Sequence, residues 1–400
     1  MENEARLSIK SNYRWVMLAL IWLAYFAFGM IGSSIPPLVT PIAHDLALTY
    51  SQIGSILGAV LLLYIPLGIS VGFLIDRAGM RRSIVAAVAL VPLSAFLQSF
   101  AINFETLFLS VCVFGIGGPF LSVGAPKIVA SWFSGKERGL ASGIYMTGPF
   151  IGGSTALAIT NTVIMPLVGT WRDTLRLYAL LGFSMVFIWL LFVRDLPHTQ
   201  TGRITTVPLR EAIAKLLREK YVWIVAIIGF SSVFFAGYGF TRWLPKLLEL
   251  KGMSPAEAGV FASVPGWGGL IGSVIVPALA KAGSRKPIVF VTLLVQGICI
   301  FTAATVNGLP LIASLVFYGV GYGAMAPLLI VILMDMPQVG AKYMGAAVGI
   351  VFSLGGIGGF TGPLMVGFLA DLTGTILPGI IALAALVEAM LIFTLLMKEK

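Results

Sequence analysis

Twelve long apolar stretches constrain the fold of this sequence more than any other feature. A helix that crosses a bilayer needs about 20 predominantly apolar residues, and each stretch provides that length. They lie at residues 15–37, 50–75, 82–102, 106–132, 139–165, 173–193, 221–248, 255–280, 287–306, 310–334, 343–370 and 376–397. Charged residues make up 10% of the 400 residues, whereas soluble proteins carry about 25%. The sequence therefore predicts an all-α membrane protein with twelve transmembrane helices, which we number as spans 1 to 12, and excludes a soluble globular protein.

The basic residues are divided unequally between the two sets of connecting segments. Of the 26 lysines and arginines, 20 lie in the terminal segments and in the loops on the same predicted side, and four lie in the loops on the other side. Loops rich in Lys and Arg stay in the cytoplasm. The net charge of +10 thus reports topology and not nucleic-acid binding. It predicts a multi-pass protein of the cytoplasmic membrane, in contact with the lipid bilayer, with both termini inside.

One long polar segment, residues 194–220, separates six spans from six. Its part from 209 to 220 has the pattern of a short amphipathic helix on the inner surface. The two halves also repeat weakly, because Gly54 matches Gly259 and the Gly115–Gly117 pair matches Gly319–Gly321. Internal repeats of this kind are common in transporters. We predict two pseudo-symmetric six-helix bundles, over residues 1–193 and 221–400, joined by a cytoplasmic linker over 194–220.

The starts of spans 2 and 8 carry matching helix-capping signals. Thr49 is followed three residues later by Gln52, and Ser254 by Glu257. In such a capping box the first side chain accepts a hydrogen bond from the third helical N–H, and the third side chain bonds back. Both spans are therefore predicted to begin at these residues.

The loop between spans 2 and 3 places an acid, three arginines and a turn glycine between two apolar stretches. Its distinctive residues are Gly72, Asp76, Arg77, Gly79, Arg81 and Arg82. Gly79 permits a sharp reversal, and the arginines hold the loop on the cytoplasmic side. The pattern resembles the G-x-x-x-D-R-x-G-R-R signature of the loop between helices 2 and 3 of the major facilitator superfamily, with Met80 departing from it.

Further elements on other spans support the same resemblance. Gly148, Pro149, Gly152 and Gly153 on span 5 resemble the G-P-x-x-G-G element of facilitator exchangers. The segment from Trp243 to Pro245, with the glycine, methionine and serine at 252–254, is similar to the cyanate-permease branch, whose members and relatives carry small anions. One position departs: Val111 stands where many proton-coupled members have an arginine on helix 4.

The resemblance implies a secondary transporter that works by rocker-switch alternating access. In that fold spans 1, 4, 7 and 10 line the central cavity, and spans 2, 5, 8 and 11 form the walls between the halves. Pairs of glycines four residues apart on these wall spans permit close helix contact, either as static packing or as sliding surfaces. We expect a monomer that needs no cofactor or resident metal and that carries a small-molecule substrate. A coupling proton and a counter-solute are the candidate co-transported partners.

The absence of acids from the centres of spans 1, 4, 7 and 10 predicts an anionic substrate. A buried cation would need a carboxylate to offset its desolvation. Lys127 on span 4 either extends toward the cytoplasm or contacts the anion, and Arg242 on span 7 is either an interfacial anchor beside Trp243 or an anion-attracting gate charge. The candidate substrate-binding residues are Tyr25, Phe28, Phe120, Lys127, Tyr145, Phe235, Tyr238, Arg242, Trp267, Tyr318 and Tyr322.

The resemblance implies that both family elements take part in gating. The candidate gating residues are Gly72, Asp76, Arg77, Gly79, Arg81, Arg82, Asp45, Gly148, Pro149, Gly152 and Gly153. Two of them are acids for which we expect specific contacts. Asp76 is expected near the N-terminus of span 11, where the helix dipole favours negative charge. This contact would close the cytoplasmic side and stabilise the outward-open state. Asp45, on the loop after span 1, is a candidate partner for Arg242 at the outer gate.

Other function classes fit the sequence less well. An exporter of amphiphilic or drug-like compounds is compatible with an apolar cavity, although the missing cavity acid argues against cationic drugs. A membrane sensor of transporter-like fold would need a long soluble output segment. The sequence shows no metal-ligand cluster, nucleophile elbow or pair of catalytic acids, so we do not expect an enzyme.

Overall fold

The computed structural model describes residues 2–193, 209–280 and 285–397. Within these residues twelve helices are long and apolar enough to cross a membrane, as the sequence predicts. The predicted linker segment 194–208 lies outside the described residues. The rest of the linker forms a short helix over Leu209–Leu216, in which the Leu216 side chain is fully buried.

The first half contains spans 1 to 6. Their helices are Glu2–Gly32 with extensions Pro36–Leu38 and Val39–Asp45, Tyr50–Leu62 with Tyr64–Ala78, Met80–Gln98, Phe104–Trp132, Gly135–Ile159 with Thr160–Ile164 and Met165–Val168, and Trp171–Phe192. Span 1 was predicted to end near residue 37, but short helices carry it to Asp45. The regular helix ends before Pro36 and Pro37 because proline has no N–H to donate.

The second half contains spans 7 to 12. Their helices are Lys220–Ile228 with Gly229–Gly237 and Tyr238–Leu250, Pro255–Leu279, Arg285–Thr305, Leu309–Asp335, Gly340–Thr373, and Leu377–Ala389 with Leu391–Leu395. The segments Thr160–Ile164 in span 5 and Gly229–Gly237 in span 7 are π-helical, a feature that the sequence does not predict.

Both predicted capping boxes are present. The Thr49 side chain accepts from the Gln52 N–H, the Ser254 side chain accepts from the Glu257 N–H, and both reciprocal bonds form. Each box satisfies two polar groups that a helix start would otherwise leave unpaired. Spans 2 and 8 therefore begin where the sequence predicts.

The largest contacts between the two halves are made by two helix pairs. Span 2 packs against span 11, and span 5 packs against span 8. We call the face where span 1 begins and span 12 ends the inner face, which is the predicted cytoplasmic side, and the opposite face the outer face. Spans 2 and 8 start at the outer face, whereas spans 5 and 11 start at the inner face.

Among the described residues, the closest backbone contacts between the halves lie on the outer side and reach the middle of the helices. A methyl group placed on Gly54 or Gly58 of span 2 would lie 2.4 Å from the carbonyl oxygen of Pro363 or Phe360 on span 11, so these backbones touch. On the inner side, a methyl group on Gly143 of span 5 would meet nothing within 4 Å. The molecule is therefore closed at the outer face and open at the inner face.

Candidate functional site

A central cavity of about 310 Å³ lies between the halves, next to the closed outer contacts. Five phenylalanines provide much of its wall: Phe28, Phe114, Phe150, Phe234 and Phe352. Small residues bring backbone close to the lumen between these rings, as at Gly32 and Gly356. The cavity is thus an apolar chamber in which any polar group has a large influence on what binds.

Arg242 supplies the charge of this chamber. It is the only charged side chain among the described residues that line the cavity. Its Nη1 donates to the carbonyl oxygen of Gly32 on span 1, and its Nη2 donates to the hydroxyl of Tyr238, one helical turn earlier on span 7. The guanidinium also lies over the Tyr238 ring, 4.4 Å from the centroid. Arg242 therefore joins the two halves at the cavity wall while keeping its positive charge.

Hydroxyl groups complete the polar part of the wall. Tyr64 and Ser122 of the first half face each other with their oxygens 3.4 Å apart, and Tyr322 of the second half stacks on Tyr318. The Ser154 hydroxyl is buried and has no hydrogen-bond partner among the residues that the structure describes. Hydroxyls can donate to a bound anion, so this wall offers neutral donors in addition to one cation.

Irregular backbone in span 7 positions the arginine. The π-helical segment Gly229–Gly237 ends directly before Tyr238, and such bulges occur frequently at functional sites. Two neighbouring side chains satisfy carbonyls of this segment: the Tyr318 hydroxyl donates to Gly237 at 2.9 Å, and Gln296 Nε2 donates to Ser232 at 3.2 Å. These bonds fix the rotation of the helix that carries Tyr238 and Arg242.

Four of the eleven predicted substrate-binding residues line the cavity. They are Phe28, Tyr238, Arg242 and Tyr322. The interfacial-anchor alternative for Arg242 relied on Trp243 beside it, but Trp243 is fully buried and its indole N–H donates to Pro363 at 2.9 Å. A substrate contact for these four residues stays a prediction.

The other seven predicted residues do not line the cavity in this conformation. Tyr25 donates to the Leu121 carbonyl and packs edge-on against Tyr145, so both rings hold spans 1, 4 and 5 together. Trp267 is 42% exposed on the opposite surface of span 8. The residues that lie outside the cavity wall are Tyr25, Phe120, Lys127, Tyr145, Phe235, Trp267 and Tyr318.

The predicted contact between Asp45 and Arg242 is wrong for this conformation. Asp45 instead forms an ion pair with Arg172 and accepts from the Trp171 indole at 3.2 Å. Asp45 ends the extension of span 1, beside the start of span 6, whereas Arg242 lies deeper at the cavity. The acid therefore braces the first half.

A different polar cluster joins the halves at the outer face. Lys246, one turn after Arg242, donates to the Thr40 hydroxyl at 2.9 Å and pairs with Glu249 at 3.5 Å. Thr40 belongs to the first half and also donates to Glu249. This cluster and Arg242 close the cavity toward the outer face along one side of span 7.

The predicted gating glycines of span 5 pack within the first half. A methyl group on Gly148 would lie 2.9 Å from the Trp22 carbonyl oxygen, and one on Gly152 would lie 2.1 Å from that of Phe26. Pro149 and Gly153 reach the cavity wall. This element therefore presses span 5 onto span 1, and a role in gating stays a prediction.

The signature loop is described in part. Span 2 ends at Ala78, and Gly79 has a φ of +88°, which accounts for the sharp reversal. Arg77, Arg81 and Arg82 are exposed. The surroundings of Gly72 and the side chain of Asp76 lie outside the described residues, so the contact of Asp76 with span 11 stays a prediction.

Two curated proteins of Bacillus subtilis (strain 168) resemble most of the chain. The nitrite extrusion protein is 26% identical over 401 residues, covering 96% of this chain and 95% of that protein. The hexuronate transporter is 24% identical over 356 residues, covering 84% of this chain and 82% of its own length.

A solved structure has the same fold. It is a bacterial homologue of the human lysosomal transporter Spinster, in an inward-facing and unoccupied conformation. The TM-score is 0.73 at 19% identity, over 96% of this chain and 95% of that one. The family model of the Major Facilitator Superfamily matches residues 21–363, with a second match at 252–400. Since this match spans most of the sequence, the chain belongs to the major facilitator superfamily of membrane transporters.

Proposed function

We propose that this protein is a secondary transporter that moves a small anion across the cytoplasmic membrane by alternating access. The observation that carries the proposal is Arg242, placed at the end of an inward-open cavity with no acid among the described lining residues. A positive charge between low-dielectric walls concentrates anions and repels cations. The related proteins named for nitrite and hexuronate transport handle anions, which supports this class.

The charge balance of the cavity favours a monovalent anion. One guanidinium can neutralise one negative charge, while the hydroxyls of Tyr64, Ser122 and Tyr322 can donate to further oxygens. A dianion would carry an unpaired charge into a chamber walled largely by phenylalanine, at a substantial desolvation cost. A single carboxylate or a small inorganic oxyanion satisfies the wall without that cost.

The arginine also connects binding to the closure of the outer face. Its Nη1 donates to Gly32 of the other half, so an anion that takes this donor competes with a contact between the halves. The outer face cannot open while that contact persists. Occupancy therefore lowers the free energy needed for the transition to the outward-open state, as required of a ligand that shifts a conformational equilibrium.

Uptake into proteoliposomes tests the proposal. We expect saturable uptake of a small anion, with competition by monocarboxylates exceeding competition by dicarboxylates, and loss of saturable uptake in Arg242→Gln. Lys251→Gln is the matched control, because Lys251 is a cation of the outer loops that contacts Val306 and Asn307 away from the cavity.

Three results would count against this function. If Arg242→Gln took up the anion as well as the wild type does, the charge of Arg242 would not be needed for binding. Preferential transport of an organic cation would refute anion selection and favour an exporter of amphiphilic compounds. Specific anion binding without any uptake would indicate a sensor.

A further inference from the structure

Spans 2 and 11 end in the same sequence pattern. Span 2 ends with Gly-Phe-Leu-Ile-Asp-Arg-Ala-Gly at 72–79, and span 11 ends with Gly-Phe-Leu-Ala-Asp-Leu-Thr-Gly at 367–374. Both final glycines terminate their helices with positive φ, at +88° for Gly79 and +78° for Gly374. The shared pattern places Asp76 and Asp371 at equivalent positions, three residues before these turns. The first lies at the inner face and the second at the outer face.

Asp371 binds the start of the helix that carries its counterpart. Its two carboxylate oxygens accept from the backbone N–H groups of Tyr50 and Ser51, at 2.8 and 2.9 Å. These are the first residues of span 2, where N–H groups have no partner within the helix and the helix dipole favours negative charge. Thr49 caps the Gln52 N–H of the same turn. The first turn of span 2 is therefore fully satisfied only while span 11 of the other half is docked.

The surrounding backbone shows that this contact belongs to the closed outer face. A methyl group on Gly367, one turn before Asp371, would lie 2.1 Å from the Tyr50 carbonyl oxygen. Tyr50 also lies against Trp243, with ring centroids 6.1 Å apart. Because spans 2 and 11 belong to different halves, opening the outer face must separate Asp371 from both N–H groups.

We propose that Asp371 is an outer-face latch that stabilises the inward-open state, and that it is the counterpart of Asp76 in the signature loop. Spans 2 and 11 run in opposite directions, because span 2 starts at the outer face and span 11 at the inner face. One acid at the end of each helix could therefore cap the start of the other helix, at each face in turn. Asp371 does so when the outer face is closed, and Asp76 does so when the inner face is closed. This device acts on the conformational equilibrium of the empty protein and is independent of the substrate.

Distance measurements on the substrate-free protein in nanodiscs test the latch. Spin labels at Ile102 and Leu309 report opening of the outer face, because these side chains lie there on different halves and are 76% and 81% exposed. Cys112 and Cys299 are replaced by alanine in this background. We expect Asp371→Asn to lower the ratio of inward-open to outward-open molecules about tenfold, which corresponds to about 1.4 kcal/mol. The fraction of molecules with the longer outer-face distance should rise accordingly. Asp371→Ala, which also removes the remaining acceptor, should shift it further.

Two further variants make the test specific. Asp173→Asn removes an acid from the same face that pairs with Arg176 inside the first half, so it should leave the distances unchanged. Combining Asp371→Asn with Asp76→Asn should return the ratio toward that of the wild type, because both latches are then weakened. Unaltered distances in monodisperse Asp371→Asn, or an equal shift in Asp173→Asn, would overturn the proposal. Asp371→Asn preserves side-chain size and decides the matter if Asp371→Ala does not fold.

Discussion

A single methyl group on Gly58 should destabilise the closed outer face. An added Cβ there would lie 2.4 Å from the Phe360 carbonyl oxygen and 2.8 Å from its Cα, and both atoms are backbone. Ordinary van der Waals contact begins at 3.4 Å. Spans 2 and 11 must therefore separate by about 1 Å, because no flexible side chain can move out of the way. Gly58→Ala acts directly on the surface that closes the cavity.

The size of the effect follows from the cost of overpacking. Inserting a methyl group into a close-packed interface costs about 1–3 kcal/mol. Alanine favours helix over glycine, but span 2 is helical in both conformations, so this gain cancels. Only the clash distinguishes the two states. The ratio of inward-open to outward-open molecules should fall by about 5-fold to 150-fold.

Spin labels at Ile102 and Leu309 measure this ratio, and Gly143→Ala provides the matched control. Both substitutions add one methyl group to a wall helix, but the Cβ on Gly143 meets nothing within 4 Å in the inward-open state. We expect the fraction of molecules with the longer outer-face distance to increase in Gly58→Ala and not in Gly143→Ala. Identical distance distributions in Gly58→Ala and the wild type would show that this helix contact does not limit outer opening.

Three other predictions concern the capping box of span 8, the topology and Lys127. Ser254→Ala removes the capping box of span 8 and should lower the free energy of unfolding by about 1 kcal/mol, measured by thermal or denaturant unfolding in detergent. Single cysteines at Gly202 and Gly374 should be labelled from opposite sides of the membrane, and labelling from one side would contradict the predicted topology. Lys127→Met should keep an apparent anion affinity close to that of the wild type in uptake assays, since Lys127 does not line the cavity; a loss as large as that in Arg242→Gln would assign Lys127 to the binding site.

Local signals in the sequence predicted the helices and their starts. The boxes at Thr49 and Ser254 depend only on residues three positions apart, and the structure contains both. Apolar length likewise identified every span, because a backbone in lipid must satisfy its own hydrogen bonds. The bends were harder to predict. The π-helical segment of span 7 is stabilised by Tyr318 and Gln296, which are distant in sequence, so no local pattern reveals it.

The lining of the cavity depends on helix rotation, which the sequence does not specify directly. Tyr238 and Tyr322 line the cavity, whereas Tyr25 and Tyr145 are of the same residue type and pack against each other behind it. Charge alone did not decide the matter either, because Lys127 on span 4 does not line the cavity whereas Arg242 does. A lone arginine on span 7 was singled out because charge inside a membrane is costly, and it reaches the lumen. Its partner was mispredicted, since Asp45 and Arg172 meet only through the packing of spans 1 and 6.

Arg242 should combine two functions that a single substitution can separate. Its planar guanidinium donates from one nitrogen to Gly32 across the halves and from another to Tyr238, a geometry that the single ammonium group of lysine cannot reproduce. Arg242→Lys preserves the positive charge needed for an anion and loses this forked bridge. We therefore expect retained anion selectivity with a weakened outer closure, seen as a longer distance between labels at Ile102 and Leu309 in the empty protein. If Arg242→Lys abolished anion binding and left the outer distance unchanged, the bridge to Gly32 would have no part in closing the outer face.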